Sequence, residues 1–177
     1  MEPIAPFGIL KDVKAENGGA LEARPGDGEE GFDAFYRREY ASAVRLAWLL
    51  TRSSAVAEDL VQDVMAAVHR SFATIESPRA YLGKSIVHRV RSWNRDEQRR
   101  RTRLMYLVDD RVEMDPADAD LFDAVGQLPY RQRAVIVTRY WAGWSEAEIA
   151  EALGCRPGTV KSLASRALDR LRKEVEK

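Results

Sequence analysis

Lys161, Ser162, Ser165 and Arg166 fall on one side of a helix-patterned stretch, and each is a hydrogen-bond donor. Side chains of these kinds meet phosphate oxygens and base edges in a major groove. The chemistry they offer is recognition, with no bond made or broken. Catalytic chemistry has no comparable footing. His69 and His88 each sit on a helical stretch without a nucleophile or a metal-spaced partner, and no GxSxG, HExxH or phosphate-binding glycine loop occurs. Cys155 is the single cysteine, which excludes a disulfide framework and a thiolate metal site. The sequence predicts no catalytic residue, no metal ligand set and no cofactor, so the chain is expected not to be an enzyme.

The elements that must position those donors are legible in SEAEIAEALGCRPGTVKSLASRAL, residues 145–168. Ser145 with Glu148 has the capping-box form that opens a helix. Ile149, Ala150 and Leu153 recur at helical spacing, Gly154 suits a left-handed C-cap, and Pro157 suits the first turn of a second helix. There Val160, Leu163, Ala164, Ala167, Leu168 and Leu171 form the stripe expected to be buried. Two short helices about a glycine-containing turn make a helix-turn-helix, with the second helix as reader. A helical hairpin with a merely wetted polar face has the same periodicity. Against it, the donor face carries no acid until Asp169.

Two further helix faces are lopsided. Between Ala57 and His69, Leu60, Val61, Val64, Met65 and Val68 share one side while Asp59, Gln62 and Asp63 share the other. That acidic face reads either as solvated surface, with acids favouring the helix N-terminus, or as a docking face for a basic partner protein. From Ser77 and Pro78, an N-cap and N1 pair, a third helix is expected through Arg95, with Tyr81, Leu82, Ile86, Val90 and Trp93 as its apolar stripe. Lys84, His88, Arg91 and Arg95 stack along its other side with no acid at i±4, and Arg99, Arg100, Arg101 and Arg103 extend the patch. Such a row of cations is unfavourable unless anions lie near, and phosphate is the natural one. Beside it the loop Phe72 to Ser77 combines an aromatic ring with hydroxyls, a composition able to accept an unstacked base.

The whole chain of 177 residues has zero net charge, which at first argues against a nucleic-acid partner, but the charge is unevenly distributed. Residues 1–31 carry 3 basic and 7 acidic side chains, residues 32–103 carry 14 and 8, residues 104–120 carry 1 and 6, and residues 121–177 carry 10 and 7. Two basic blocks separated by an acidic one suit two DNA-facing modules joined by a linker that avoids DNA. Residues 1–31, rich in Gly, Pro and acids, are expected to form a flexible tail; residues 32–103 one helical domain; residues 104–120 a flexible acidic linker; residues 121–177 a second helical domain. Few β-branched runs and 45% hydrophobic residues make an all-α fold the expected class. A first helix is expected from Phe32 to about Thr51, a second from Ser53 or Ser54 to about His69, a short one over Leu121 to Gln127, and another from Pro129 to about Tyr140. Neither a membrane-spanning stretch nor a signal peptide is evident, so a cytoplasmic location is expected.

The residues alone leave three functions open: a helix-turn-helix regulator with a sensing or dimerising half, a protein-only helical adaptor, and a factor that must grip both duplex and opened DNA. The order of the motif blocks favours the last. LPYRQRAVIVTRYWAGWSEAEIAEALGCRPGTVKSLASRAL resembles the fourth region of the small extracytoplasmic-function (ECF) sigma factors of the bacterial sigma-70 family, and AEDLVQDVMAAV followed by SPRAYLGKSIVHRVRSW resembles their second region. The resemblance implies core RNA polymerase and promoter DNA as partners, without a membrane. It implies that Asp59, Gln62 and Asp63 dock on the polymerase, and that Phe72, Ser77, Lys84, His88, Arg91 and Arg95 engage the melted −10 element. It implies that Arg139, Thr159, Lys161, Ser162, Ser165 and Arg166 read the −35 element as duplex. An anti-sigma factor is allowed as a further partner. His88 stands where many relatives have Asn, and Leu163 with Ala164 replaces a common Arg-Leu pair, removing one expected phosphate contact.

Overall fold

Apolar residues recur every three or four positions from Phe32 onward, and α1 follows them over Phe32–Thr51, burying Phe35, Ala43, Leu46, Leu49 and Leu50. The helix stops without a glycine. Arg52 takes the left-handed conformation at φ 61°, the only non-glycine residue with positive φ among the described residues, and its N–H donates to the Trp48 carbonyl at 2.7 Å. That conformation costs an L-residue roughly 1 kcal/mol. Seating the guanidinium 4.5 Å from the Trp48 ring centroid offsets it.

The computed structural model describes residues 31–101 and 119–175, with side chains placed for 31–96 and 121–174. The expected tail (apart from Gly31, which precedes α1), the linker up to residue 118 and the side chains of the arginine run at 99–103 lie outside the described residues.

Ser53, extended at φ −145°, caps α2 by accepting a hydrogen bond from the Val56 N–H, and α2 spans Ser54–Ser71, two residues beyond the expected end. It buries Ala57, Leu60, Val61, Val64, Met65 and Val68. A single 3-10 turn over Phe72–Thr74 leads to α3, Pro78–Arg101, which buries Leu82, Ile86, Val87 and Val90. Each of the three helices packs on the other two. The bundle also encloses an ion pair: Arg79 Nε donates to Glu39 Oε2 at 3.0 Å, and Arg38 Nε donates to Oε1 of the same carboxylate at 2.7 Å.

Two expectations for α3 need correction. Tyr81 does not belong to the apolar stripe; it is 46% exposed, because it lies one residue off the Leu82, Ile86, Val90 line and shares its face with Lys84, His88, Arg91 and Arg95. Ser77 does not cap through its side chain. Its carbonyl accepts the Tyr81 N–H at 3.0 Å, while its hydroxyl is buried without a hydrogen-bond partner.

The second unit is built from α4 (Ala119–Gln127), α5 (Tyr130–Ile136), α6 (Glu146–Leu153) and α7 (Pro157–Val175). The first of these begins two residues earlier than expected, inside the stretch read as linker. Its core holds Val125, Leu128, Val135, Ile136, Trp141, Trp144, Ile149, Leu153, Val160, Ala167 and Leu171. After α5 the chain continues helically but widens to a π turn over Val137–Trp141, where the Ala142 N–H reaches the Val137 carbonyl at 3.0 Å. Thr138, fully buried, bonds its hydroxyl back to the Ala134 carbonyl at 2.6 Å, the kind of contact that bends a helix. Among the described residues there is no strand, as the all-α expectation requires.

Candidate nucleic-acid interface and docking face

The helix-turn-helix is assembled by local bonds. Glu148 N–H donates to Ser145 Oγ at 3.3 Å and Ser145 N–H donates to Glu148 Oε2 at 2.9 Å, completing the capping box at the start of α6. Gly154 ends α6 at φ 57°, and the Cys155 N–H closes the turn on the Ala150 carbonyl at 2.9 Å. Pro157 then opens α7. With Val160, Ala164, Ala167 and Leu171 buried, Lys161, Ser162, Ser165 and Arg166 are all exposed, and Thr159 is half-buried. Ser162 donates its hydroxyl to the Gly158 carbonyl at 3.0 Å, which leaves its oxygen free to accept.

Glu146 holds two of the expected DNA-facing cations, a role that sequence reasoning missed. Its Oε1 accepts from Arg139 Nη1 at 3.2 Å, and its Oε2 lies 3.7 Å from Lys161 Nζ. Arg139 also lies 5.9 Å from the Tyr140 ring centroid. One carboxylate thus ties the π turn, the first helix of the motif and the reader helix together. Periodicity carries no signal for this, since the three residues sit on separate elements.

In the three-helix unit Asp59, Gln62 and Asp63 are exposed on α2. Asp63 is also ion-paired with Arg89 of α3, a residue the sequence did not single out. The basic side of α3 exposes His88 and Arg95 and half-buries Lys84 and Arg91, with Tyr81 at its head. Between α2 and α3 lies an open groove of about 520 Å³ lined by Asp63, Arg70, Ser85, His88, Arg89 and Ser92 among others.

The loop after α2 is anchored by its aromatic residue. The Phe72 ring stands 5.5 Å from Phe32 and 5.2 Å from Phe35, edge-on or tilted, and the His69 ring lies tilted against Phe32 at 4.4 Å. Phe72 is half-buried in this cluster, so the exposed surface of the loop is supplied by Ala73, Thr74 and Glu76. Tyr81 is the exposed aromatic ring on this unit, and its i, i+3, i+7 relation to Lys84 and His88 was the available signal for it. Among the described residues no three His, Cys, Asp or Glu side chains are grouped as metal ligands, and no helix is long and apolar enough to cross a membrane.

Comparison with known proteins matches each unit separately. Residues 35–100 match the family model for sigma-70 region 2, and residues 119–171 match that for sigma-70 region 4. The RNA polymerase sigma-E factor of Streptomyces coelicolor is 34% identical over 151 residues, covering 81% of this chain and 85% of that protein. The ECF RNA polymerase sigma factor SigM of Mycobacterium tuberculosis is 34% identical over 146 residues, covering 79% and 74%. Among solved structures, the sigma factor RpoE of Bartonella quintana, crystallised with the anti-sigma factor NepR, superposes with a TM-score of 0.65 at 25% identity, covering 82% of this chain and 96% of that one.

Proposed function

The chain belongs to the extracytoplasmic-function group of the sigma-70 family, and from that premise we propose how its surfaces divide the work. As a sigma factor it acts with RNA polymerase in promoter recognition and transcription initiation. The division runs by unit, with residues 32–103 and 121–177 as the two working domains, the second extended back to Ala119 by α4, and the stretch between them as their tether. The exposed donors of α7, Lys161, Ser162, Ser165 and Arg166, with Arg139 and Thr159, read the −35 element as duplex. Asp59, Gln62 and Asp63 dock on a basic surface of core polymerase. Lys84, His88, Arg91 and Arg95 track the phosphates of the −10 region, and the loop from Phe72 to Ser77 receives an unstacked base. Phe72 supports that loop from beneath, and Tyr81 supplies the exposed ring.

Melting in this scheme is driven by binding. Unpairing costs a few kcal/mol, and capture of an unstacked base with the displaced strand's phosphates offsets it. The chain is no enzyme; the polymerase performs the nucleotide chemistry, and the site of action is the cytoplasm. An anti-sigma factor is a fitting regulator, since the RpoE structure that this chain resembles is a complex with one.

The observation that carries this reading is the presence of an exposed cationic helix face on each of two separate helical units, one of them a complete helix-turn-helix. In vitro transcription with core RNA polymerase on a promoter library tests it. Initiation that requires this chain, at a shared two-box motif with a fixed spacer, is the expected result; templates that initiate nowhere would overturn it.

A further inference from the structure

Asp63 and Arg89 are 26 residues apart in sequence, on α2 and α3, and their side chains pair beside the groove between those helices. Asp63 shares its exposed face with Asp59 and Gln62, whereas Arg89 lies off the line of Lys84, His88, Arg91 and Arg95, at the groove where His88 and Arg70 also stand, so the pair sits on the border between the acidic face and the basic side of α3. We propose that Arg89 is a further promoter-contacting residue whose availability is controlled by Asp63, so that docking on polymerase releases it onto the DNA backbone. The inference rests on the division of surfaces given above.

The pair has the properties such a latch needs. Its side chains remain 52% and 54% exposed, so the bond is solvated and weak, and a competing charge on either side displaces it readily. Among the described residues Asp63 is the only acid lining the groove, and the other polar lining groups are Arg70, Arg89, His88, Ser85 and Ser92. Once a basic segment of the polymerase engages Asp63, the groove keeps two guanidinium groups and two hydroxyls, with no other carboxylate among its described lining residues. Charge-assisted donors in this arrangement take a phosphate oxygen of the opened strand. In the free chain the same bond occupies both charges, which weakens DNA binding in the absence of polymerase. Linkage makes the effect reciprocal: opened DNA that takes Arg89 frees Asp63 and tightens docking by the same factor.

The test measures two affinities of the full chain over a range of salt: for core RNA polymerase, and for a fork-junction DNA with a single-stranded −10 segment, each with and without the other ligand. Arg89→Gln is expected to tighten core binding about two- to fivefold, because Asp63 is freed, and to lower the salt slope for fork DNA in the polymerase complex by about one. Asp63→Asn is expected to raise the free chain's affinity for fork DNA by a similar factor while weakening core binding. Both variants should reduce the coupling between the two ligands, and Arg89→Lys, which keeps the charge, should retain it. Far-UV circular dichroism confirms that each variant is folded. If Arg89→Gln leaves both core affinity and the coupling factor unchanged, the pair is a static surface bridge and the proposal is overturned. A wild-type chain that ignores core polymerase altogether sinks the functional reading itself, and the latch with it.

Discussion

Arg79 on the first turn of α3 reaches the carboxylate of Glu39 in the middle of α1, with the two side chains 5% and 2% exposed and 3.0 Å between Nε and Oε2. Burial of two charges in a small bundle is stabilising only while each keeps its partners. The pair ties the first turn of α3 to α1. Glu39→Ala leaves Arg79 buried without its carboxylate and is expected to destabilise the chain by about 3 kcal/mol in urea denaturation. Replacing both residues by Met should recover much of that loss, since apolar groups of similar volume leave no buried charge behind, the other partner of Glu39, Arg38, being 32% exposed; a double variant as unstable as the single one would contradict this account.

Tyr81 is expected to matter for opening rather than for folding. Tyr81→Ala removes an exposed ring, so denaturation midpoints should change little, while binding to single-stranded −10 DNA weakens by roughly 1 to 3 kcal/mol if a base stacks on it. Permanganate footprinting of the start region reads the opening directly. Tyr81→Phe should retain most of the effect, because stacking uses the ring and not the hydroxyl.

Charge reversal on the docking face separates attachment from architecture. Asp59 is exposed on α2, and Asp59→Lys should abolish co-purification with core polymerase while leaving helicity intact. Unchanged co-purification would return this face to ordinary solvated surface.

The proposed role of α7 as reader carries a base-specific expectation. Arg166→Ala should weaken recognition at the upstream box by about 1 to 3 kcal/mol if the guanidinium contacts a base edge. The loss should concentrate at one position of the box when single-base variants are compared. Equal losses on every sequence would make Arg166 a phosphate contact.

Glu146 pairs with Arg139 and with Lys161, two of the cations proposed to meet duplex DNA. Glu146→Gln should therefore strengthen binding to duplex of any sequence, steepen its salt dependence by about one contact, and narrow the margin between the −35 box and random DNA. Fluorescence anisotropy at several salt concentrations, on both duplexes, measures all three quantities.

The sequence alone determined what depends on neighbours a few residues away. The capping box at Ser145 and Glu148, the left-handed Gly154, the opening of α7 at Pro157 and the exposed donor face that follows are set by bonds within one or two turns, so spacing and residue type were enough to find them. The same holds for the start of α1 at Phe32 and for the buried face of α2. At α3 the spacing of Tyr81 to Lys84 and His88 carried a signal that its apolar ring obscured, and burial of Leu82, Ile86 and Val90 turns Tyr81 outward among the cations. Glu39 with Arg79, Asp63 with Arg89, and Glu146 with Arg139 and Lys161 were decided by tertiary structure. Each joins side chains from separate elements, and which charges meet depends on the register and rotation at which the helices pack, quantities that a pattern repeating every 3.6 residues does not contain.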